Sequence, residues 1–583
     1  MKTLPWLALC ALLAIASAPA PAKNADSSVA DTRFETLYKA EWTWRKQQFP
    51  GFEDEDSQAS DKDTRLPAVA EKAQQARLAY WNDVLKQLAD IAPADLSPEN
   101  QLNYAVFKPQ IESLAAEVRF RQYEMPLNSD TQFWTNLRFM SDRPLKNAVA
   151  ARAYIARLND VPRYFDEQMA NMRAGVKRGF TVPRAVLEGR DVSITTFTDV
   201  KTSQDSDFYK PFAKLPASIS ADEQAALRAD AVKAIHDKVL PSYAKLLTFY
   251  RKDYLPHART TLAAEALPDG KAYYRQQIKE YTTLDLDPEQ IHQIGLKEVA
   301  RIDAEMQATM AATGFKGDFP AFLKFLRTDP QFYAKTPDEL LMHAAWIAKR
   351  VDAVIGQYIG LLPRGRFGIK PVPPALAPFW TAGRGGAHTY WVNTYDLPSR
   401  PLYNLTALTL HESSPGHALQ GELVEEMKAV PDFRHAYISA YGEGWALYCE
   451  KLGKEMGIYL TPYDDFGRET YEMWRAARLV IDTGIHHKGW TRQQAIDYLA
   501  SHAALSQHEV ETEVDRYISW PGQALSYKLG EIKIVELRAR AEKALGEKFD
   551  IRKFHDAILE IGAVPLPVLE QHIDAYIAKN KAA

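Results

Sequence analysis

The sequence predicts a mainly α, large multi-helix fold with one short β edge. Long stretches rich in Ala, Leu, Glu, Lys, Arg and Gln recur from about residue 66 to the end, and these are the residues that lose least on entering a helix. Their apolar positions repeat with helical period. Strand-like composition is confined to one segment, 387–393.

From the N-terminus, Met1-Lys2-Thr3, the apolar run Leu4 to Ala16 and the small residues Ser17 to Ala22 have the three regions of a secretory signal peptide. Residues 1–22 are therefore expected to be removed after Ala18, Ala20 or Ala22, leaving a protein exported to the periplasm or beyond. The apolar run is shorter than the ~20 residues that span a bilayer, so no integral membrane segment is expected after cleavage. Cys10 follows Leu9 within that run, a poor context for lipid attachment. The mature chain keeps only Cys449 of the two cysteines, so stability must come from the core rather than from a disulfide.

Residues 23–65 are polar and include Glu53-Asp54-Glu55-Asp56; they read as a partly helical, loosely held arm. Amphipathic helical segments follow at about 66–92, 98–122, 144–175, 221–257, 335–360, 400–428, 433–456, 464–485, 492–504, 521–546 and 551–578. A further helix starts at Asp287-Pro288-Glu289-Gln290, an N-cap, a first-turn proline and a capping-box glutamine. The apolar stripe behind it (Ile291, Ile294, Val299, Ile302, Met306, Met310) reads as core. Unequal segment lengths argue against a solenoid. Proline-rich breaks at 362–365 and 371–374 separate an N-terminal half, about 66–370, from a C-terminal half, about 371–583, that carries the chemistry.

Ala387 to Asn393, after a Gly383-Arg384-Gly385-Gly386 turn, reads as a strand. It could offer an edge to an extended peptide, with His388 and Tyr390 as substrate contacts. A short strand in a structural hairpin is the plain alternative.

Composition excludes some partners. A net charge of −4 provides no basic footprint for nucleic acid or an acidic membrane surface.

The chemistry concentrates in His411-Glu412-Ser413-Ser414-Pro415-Gly416-His417 and Glu443-Gly444-Trp445-Ala446-Leu447-Tyr448. Two imidazoles, a carboxylate beside the first and a second carboxylate downstream make up the ligands and base of a zinc hydrolase. The histidines are six apart, about 600° around a regular helix, so they diverge by roughly 120°. One ion can take both only if the helix widens, breaks or restarts between them. Pro415 and Gly416 are residues that permit this. Glu443, on a helix returning antiparallel after Val430-Pro431-Asp432, is the favoured third ligand. Glu450 shares its face but lies about 10.5 Å along the axis, so it competes as ligand, acts as a supporting partner of the site, or is a solvent-facing charge. Cys449 reads as an inert buried thiol. Histidines bonded within the core and glutamates in plain salt bridges remain the bland alternative.

On these motifs, together with Arg478 to His486, Pro521 to Lys528 and Phe554-His555, the chain resembles the bacterial family catalogued as domain of unknown function 885 over most of the mature sequence. The resemblance implies a helical fold similar to thermolysin-like and oligopeptidase-like zinc peptidases, with a central cleft between two halves. Those peptidases use a His or Tyr against the developing oxyanion, which makes Tyr517, Tyr527 and His486 candidates here. Arg384, Arg478 and Arg516 have the geometry to bind a peptide carboxylate, Arg384 and Arg516 being the preferred contacts.

The expectation is an exported zinc metallopeptidase acting on short peptides, with one zinc held by His411, His417 and Glu443, and Glu412 as general base. The rivals are a non-catalytic exported peptide- or metal-binding protein, and a metal-free hydrolase using Ser413 or Ser414.

Overall fold

The computed structural model describes residues 25–49, 63–374 and 377–582. The signal segment and the acidic run at 53–56 lie outside the described residues. Helices dominate the fold, and the described residues contain three short strands in one sheet. No helix among these residues is long and apolar enough to cross a membrane.

The residues expected to form a loose arm begin with a helix, Ala25–Gln48. Phe34, Leu37 and Tyr38 of this helix are buried. Asp31 accepts hydrogen bonds from Ser97 and Asn100, and Glu41 accepts one from the Trp81 indole. This stretch is docked by apolar burial and by buried acceptors, features its polar composition conceals.

The helix Pro288–Ala312 starts with the Asp287/Gln290 capping box. It packs against the central helix Pro462–His486 so closely that a Cβ on Gly295 would meet the Leu479 side chain at 2.7 Å. The central helix is buried on all sides from Phe466 to His486, including Arg468, Glu472, Arg475, Arg478 and Asp482. An amphipathic reading of this segment fails because its charges are paired inside the protein. Lys528, for example, is fully buried and meets Glu472 at 2.9 Å, Glu531 at 2.8 Å and Glu298 at 3.2 Å. Pairing of this kind offsets the cost of removing charge from water.

The sheet comprises β1 (Gly368–Pro371), β2 (Gly383–Gly386) and β3 (Thr389–Val392), in the order β1-β3-β2. β3 is therefore the middle strand, parallel to β1 and antiparallel to β2. The glycine-rich segment expected to be a turn is instead the edge strand. Its glycines have a packing role: a Cβ on Gly385 would lie 2.0 Å from the Glu412 carbonyl oxygen, so only glycine lets this edge approach the motif helix. The expected division at 370/371 falls inside β1.

Candidate metal centre

The segment expected to distort is two helices, Leu402–Glu412 and His417–Glu426. Hydrogen bonds bridge the break. Ser413 N–H and its hydroxyl both donate to Thr409 O, Gly416 N–H donates to Leu410 O and Ala418 N–H to Ser413 O. The Trp445 indole crosses from the return helix, Ser439–Glu455, to donate to Pro415 O at 2.9 Å. Gly416 is required by close approach, since a Cβ there would lie 2.0 Å from His411 O. Gly444 in turn lets the return helix press against Gly530. Each member of the Glu443-Gly444-Trp445 motif therefore has a separate physical role.

The restart brings the two imidazoles together. Their rings meet edge to face with centroids 4.8 Å apart. Glu443 Oε2 lies 3.4 Å from His411 Nε2 and 3.2 Å from His417 Nε2. Donors about 2.0–2.1 Å from a tetrahedral ion stand about 3.3–3.4 Å from one another, so the set fits zinc in both chemistry and spacing.

Glu450 occupies a supporting position. Its Oε1 is 2.8 Å from His411 Nδ1, and both side chains are buried. Its solvent-facing alternative is thereby removed. With the Nδ1 proton directed to Glu450, Nε2 is the nitrogen turned toward Glu443 and His417. Burial would push His411 down, but hydrogen bonds to Glu443 and Glu450 outweigh it and lift the imidazole to about 9. Burial would likewise raise Glu443, yet the facing imidazoles hold it well below the usual carboxylate range. The cluster thus carries an ionised carboxylate and retains a proton.

Glu412 follows His411 and accepts a 2.6 Å hydrogen bond from Gly385 N–H on the edge strand. Tyr527 lies nearly parallel to the His411 ring, with centroids 6.3 Å apart, and its hydroxyl accepts from Arg516 at 3.3 Å.

Tyr437 was not singled out in the sequence. Its ring stands 6.5 Å from that of His417, close enough to Glu443 for that carboxylate's charge to act on the phenol, and it is 61% exposed. The single sequence signal for it is an aromatic six residues before Glu443.

Other expected site residues lie elsewhere. Tyr517 is buried, with its hydroxyl accepting from Trp474 and Arg478; both contacts are committed to packing rather than to an oxyanion. His486 accepts from Ala264 N–H and donates to Tyr517 O, and burial lowers it to about 3. Both of its ring nitrogens are used, so it is a neutral core residue. Tyr390 is wholly buried on the middle strand, with its hydroxyl at Thr409, and cannot meet a substrate. His388 is exposed but is clamped between Glu422 at 2.8 Å and Glu425 at 3.0 Å. Ser413 is buried with its hydroxyl on Thr409 O, a bond that ties up the proton a nucleophile would surrender to a base. Burial raises the Cys449 thiol well above its ordinary value, as expected of an inert thiol.

The family model described as bacterial protein of unknown function (DUF885) matches residues 51–573. The chain belongs to the DUF885 family. Among solved structures, this DUF885 chain is similar to a candidate lipoprotein from Colwellia psychrerythraea, with 27% identity and a TM-score of 0.84 over 95% of this chain and 99% of that one. A candidate lipoprotein of unknown function from Shewanella oneidensis shares the fold at 18% identity and a TM-score of 0.69, over 94% and 99% of the two chains. No curated protein matches the sequence.

Proposed function

We propose that this DUF885 protein is an exported zinc-dependent peptidase acting on short peptides. The observation that carries the reading is the convergence of His411, His417 and Glu443 to nearest approaches of 3.2 and 3.4 Å, with Glu412 next to His411 and hydrogen-bonded to the edge strand β2. A divalent ion held by these three residues supplies Lewis acidity and makes nearby water easier to deprotonate. Among the described residues at the centre, Glu412 is the carboxylate with no hydrogen bond to an imidazole, and it is placed to take a proton from water and return it to a leaving amine.

β2 is an edge strand whose side away from β3 suits pairing with an extended peptide through Gly383, the Gly385 N–H being given to Glu412, and a peptide so paired would run past Glu412. The rings of Tyr437 and Tyr527 lie beside those of His417 and His411, and their phenols are suited to donate to a developing oxyanion. The reading places the site in a cleft between two halves of the chain. Export is supported by the signal-like N-terminus and by relatives described as candidate lipoproteins.

The test is metal analysis of the mature protein with His411→Ala and Glu412→Gln, alongside hydrolysis of a mixed peptide library. About one zinc per chain in wild type and Glu412→Gln, none in His411→Ala, and cleavage by wild type alone are expected. Wild type that binds no zinc when it is supplied would sink the reading. Zinc binding with equal, null turnover in wild type and Glu412→Gln would favour a binding protein instead.

A further inference from the structure

Two arginines flank the proposed centre from different elements. Arg384 projects from β2, one residue from the Gly385 amide that holds Glu412. Arg516 bonds the hydroxyl of Tyr527, the ring that lies over His411. Arg384 is half exposed, its guanidinium lies 4.2 Å over the Trp380 ring, and it makes no hydrogen bond among the described residues. Stacking fixes the plane of the guanidinium while leaving its N–H fork unspent.

One carboxylate, from the N-terminal half of the chain, stands beside Arg384, whereas Arg516 is already engaged by Glu513, Gln523 and Tyr527. Asp130 Oδ2 lies 3.8 Å from Arg384 Nη2, beyond hydrogen-bond range, and its charge also acts on Arg516. Asp130 sits in a tight turn whose Asn128 side chain accepts from Asp130 N–H and Thr131 N–H. Ser129 N–H ties this turn to the Ser519 hydroxyl, three residues beyond Arg516. The turn thus delivers a carboxylate to Arg384 without completing a hydrogen bond to it.

We infer that Arg384 anchors a carboxylate-binding subsite beside the proposed centre, and that Asp130 is an internal stand-in displaced when a substrate carboxylate arrives. This rests on the peptidase reading for the ligand being a peptide. The carboxylate comes either from a peptide C-terminus or from an acidic side chain, and both sources present the same planar pair of oxygens. A bidentate bond to Arg384 replaces a contact too long to be one.

The experiment is equilibrium calorimetry on full-length Glu412→Gln, which does not depend on turnover. The probes are the tripeptide Ala-Ala-Phe as free acid, the same peptide amidated, and amidated Ala-Glu-Phe. At least one carboxylate probe is expected to bind about tenfold or more tighter than amidated Ala-Ala-Phe. Preference for the free acid identifies a C-terminal carboxylate, and preference for amidated Ala-Glu-Phe an acidic side chain. Adding Arg384→Ala should remove the preference, Arg384→Lys should restore part of it, and Asp130→Asn should tighten the carboxylate probe severalfold.

Equal binding of all three probes, no binding by any, or looser carboxylate binding in Asp130→Asn overturns the inference. A wild type that cleaves nothing but retains the Arg384-dependent preference defeats the peptidase reading and leaves the subsite standing. Cleavage with no such preference does the reverse.

Discussion

Replacing Glu450 with Gln tests whether the buried cluster is organised around a metal. Glu450 touches His411 at Nδ1, the nitrogen facing away from Glu443 and His417. The 2.8 Å contact lies between side chains only 2% and 1% exposed, where solvent screens little. Glutamine is nearly isosteric and can still accept from Nδ1, but it removes the charge that makes Nε2 a stronger donor. Loss of such a supporting carboxylate typically costs ten- to a hundredfold in metal affinity, about 1.4–2.8 kcal/mol. Glu450 is also one of the groups lifting His411 to about 9. Zinc binding at neutral pH must therefore expel about one proton from wild type, so apparent affinity should rise with pH up to about 9 and level off. In Glu450→Gln the imidazole holds its proton less tightly, and this rise should end at lower pH. Competition against a chelating zinc indicator between pH 6 and 9 measures both effects, with circular dichroism as the control for folding. An affinity and pH profile identical to wild type would falsify the supporting role of Glu450.

Three further outcomes are expected. Tyr437→Phe should retain zinc and lower kcat about a hundredfold, the usual loss when an oxyanion donor is removed; unchanged kcat would return Tyr437 to a bystander of Glu443. Gly416→Ala places a methyl group 2.0 Å from His411 O, so the turn must shift at a cost of about 1–3 kcal/mol, read as a lower urea midpoint and weaker zinc binding; a variant that matches wild type in both would show that the turn is not what aligns the histidines. The third outcome concerns acid stability, where His486 and His555 are held neutral by burial, at about 3 and about 4. An unfolded histidine gains its proton near pH 6.5, so the unfolded state binds more protons below that point and stability must fall as pH drops. Between pH 6.5 and 5 each residue contributes about 2 kcal/mol of loss. Urea midpoints in that window should decline steeply in wild type and less steeply in His555→Gln, whereas parallel slopes would exclude His555 as a source.

Residue chemistry made much of the local structure legible. The Asp287 capping box, the apolar stripe from Ile291 to Met306 and the helix break at Pro415-Gly416 follow from propensities that act over a few residues. The paired motifs also named the residues that converge: His411, His417 and Glu443 are chemically distinctive, and only an interrupted or widened helix could bring histidines six apart to one point. Selection among similar side chains was not legible in this way. Tyr517, Tyr390 and His486 are as plausible in a linear string as Tyr437, and only the packing of the central helix and the middle strand turns the first three into the core and leaves Tyr437 open beside Glu443. The glycines of β2 read as a turn because their purpose, contact with the Glu412 backbone, depends on a partner remote in sequence. Composition and short-range periodicity thus determined the helical class and the inventory of reactive groups. Tertiary structure decided which groups face one another, because burial and hydrogen-bond partnership come from elements that meet only when the chain has folded.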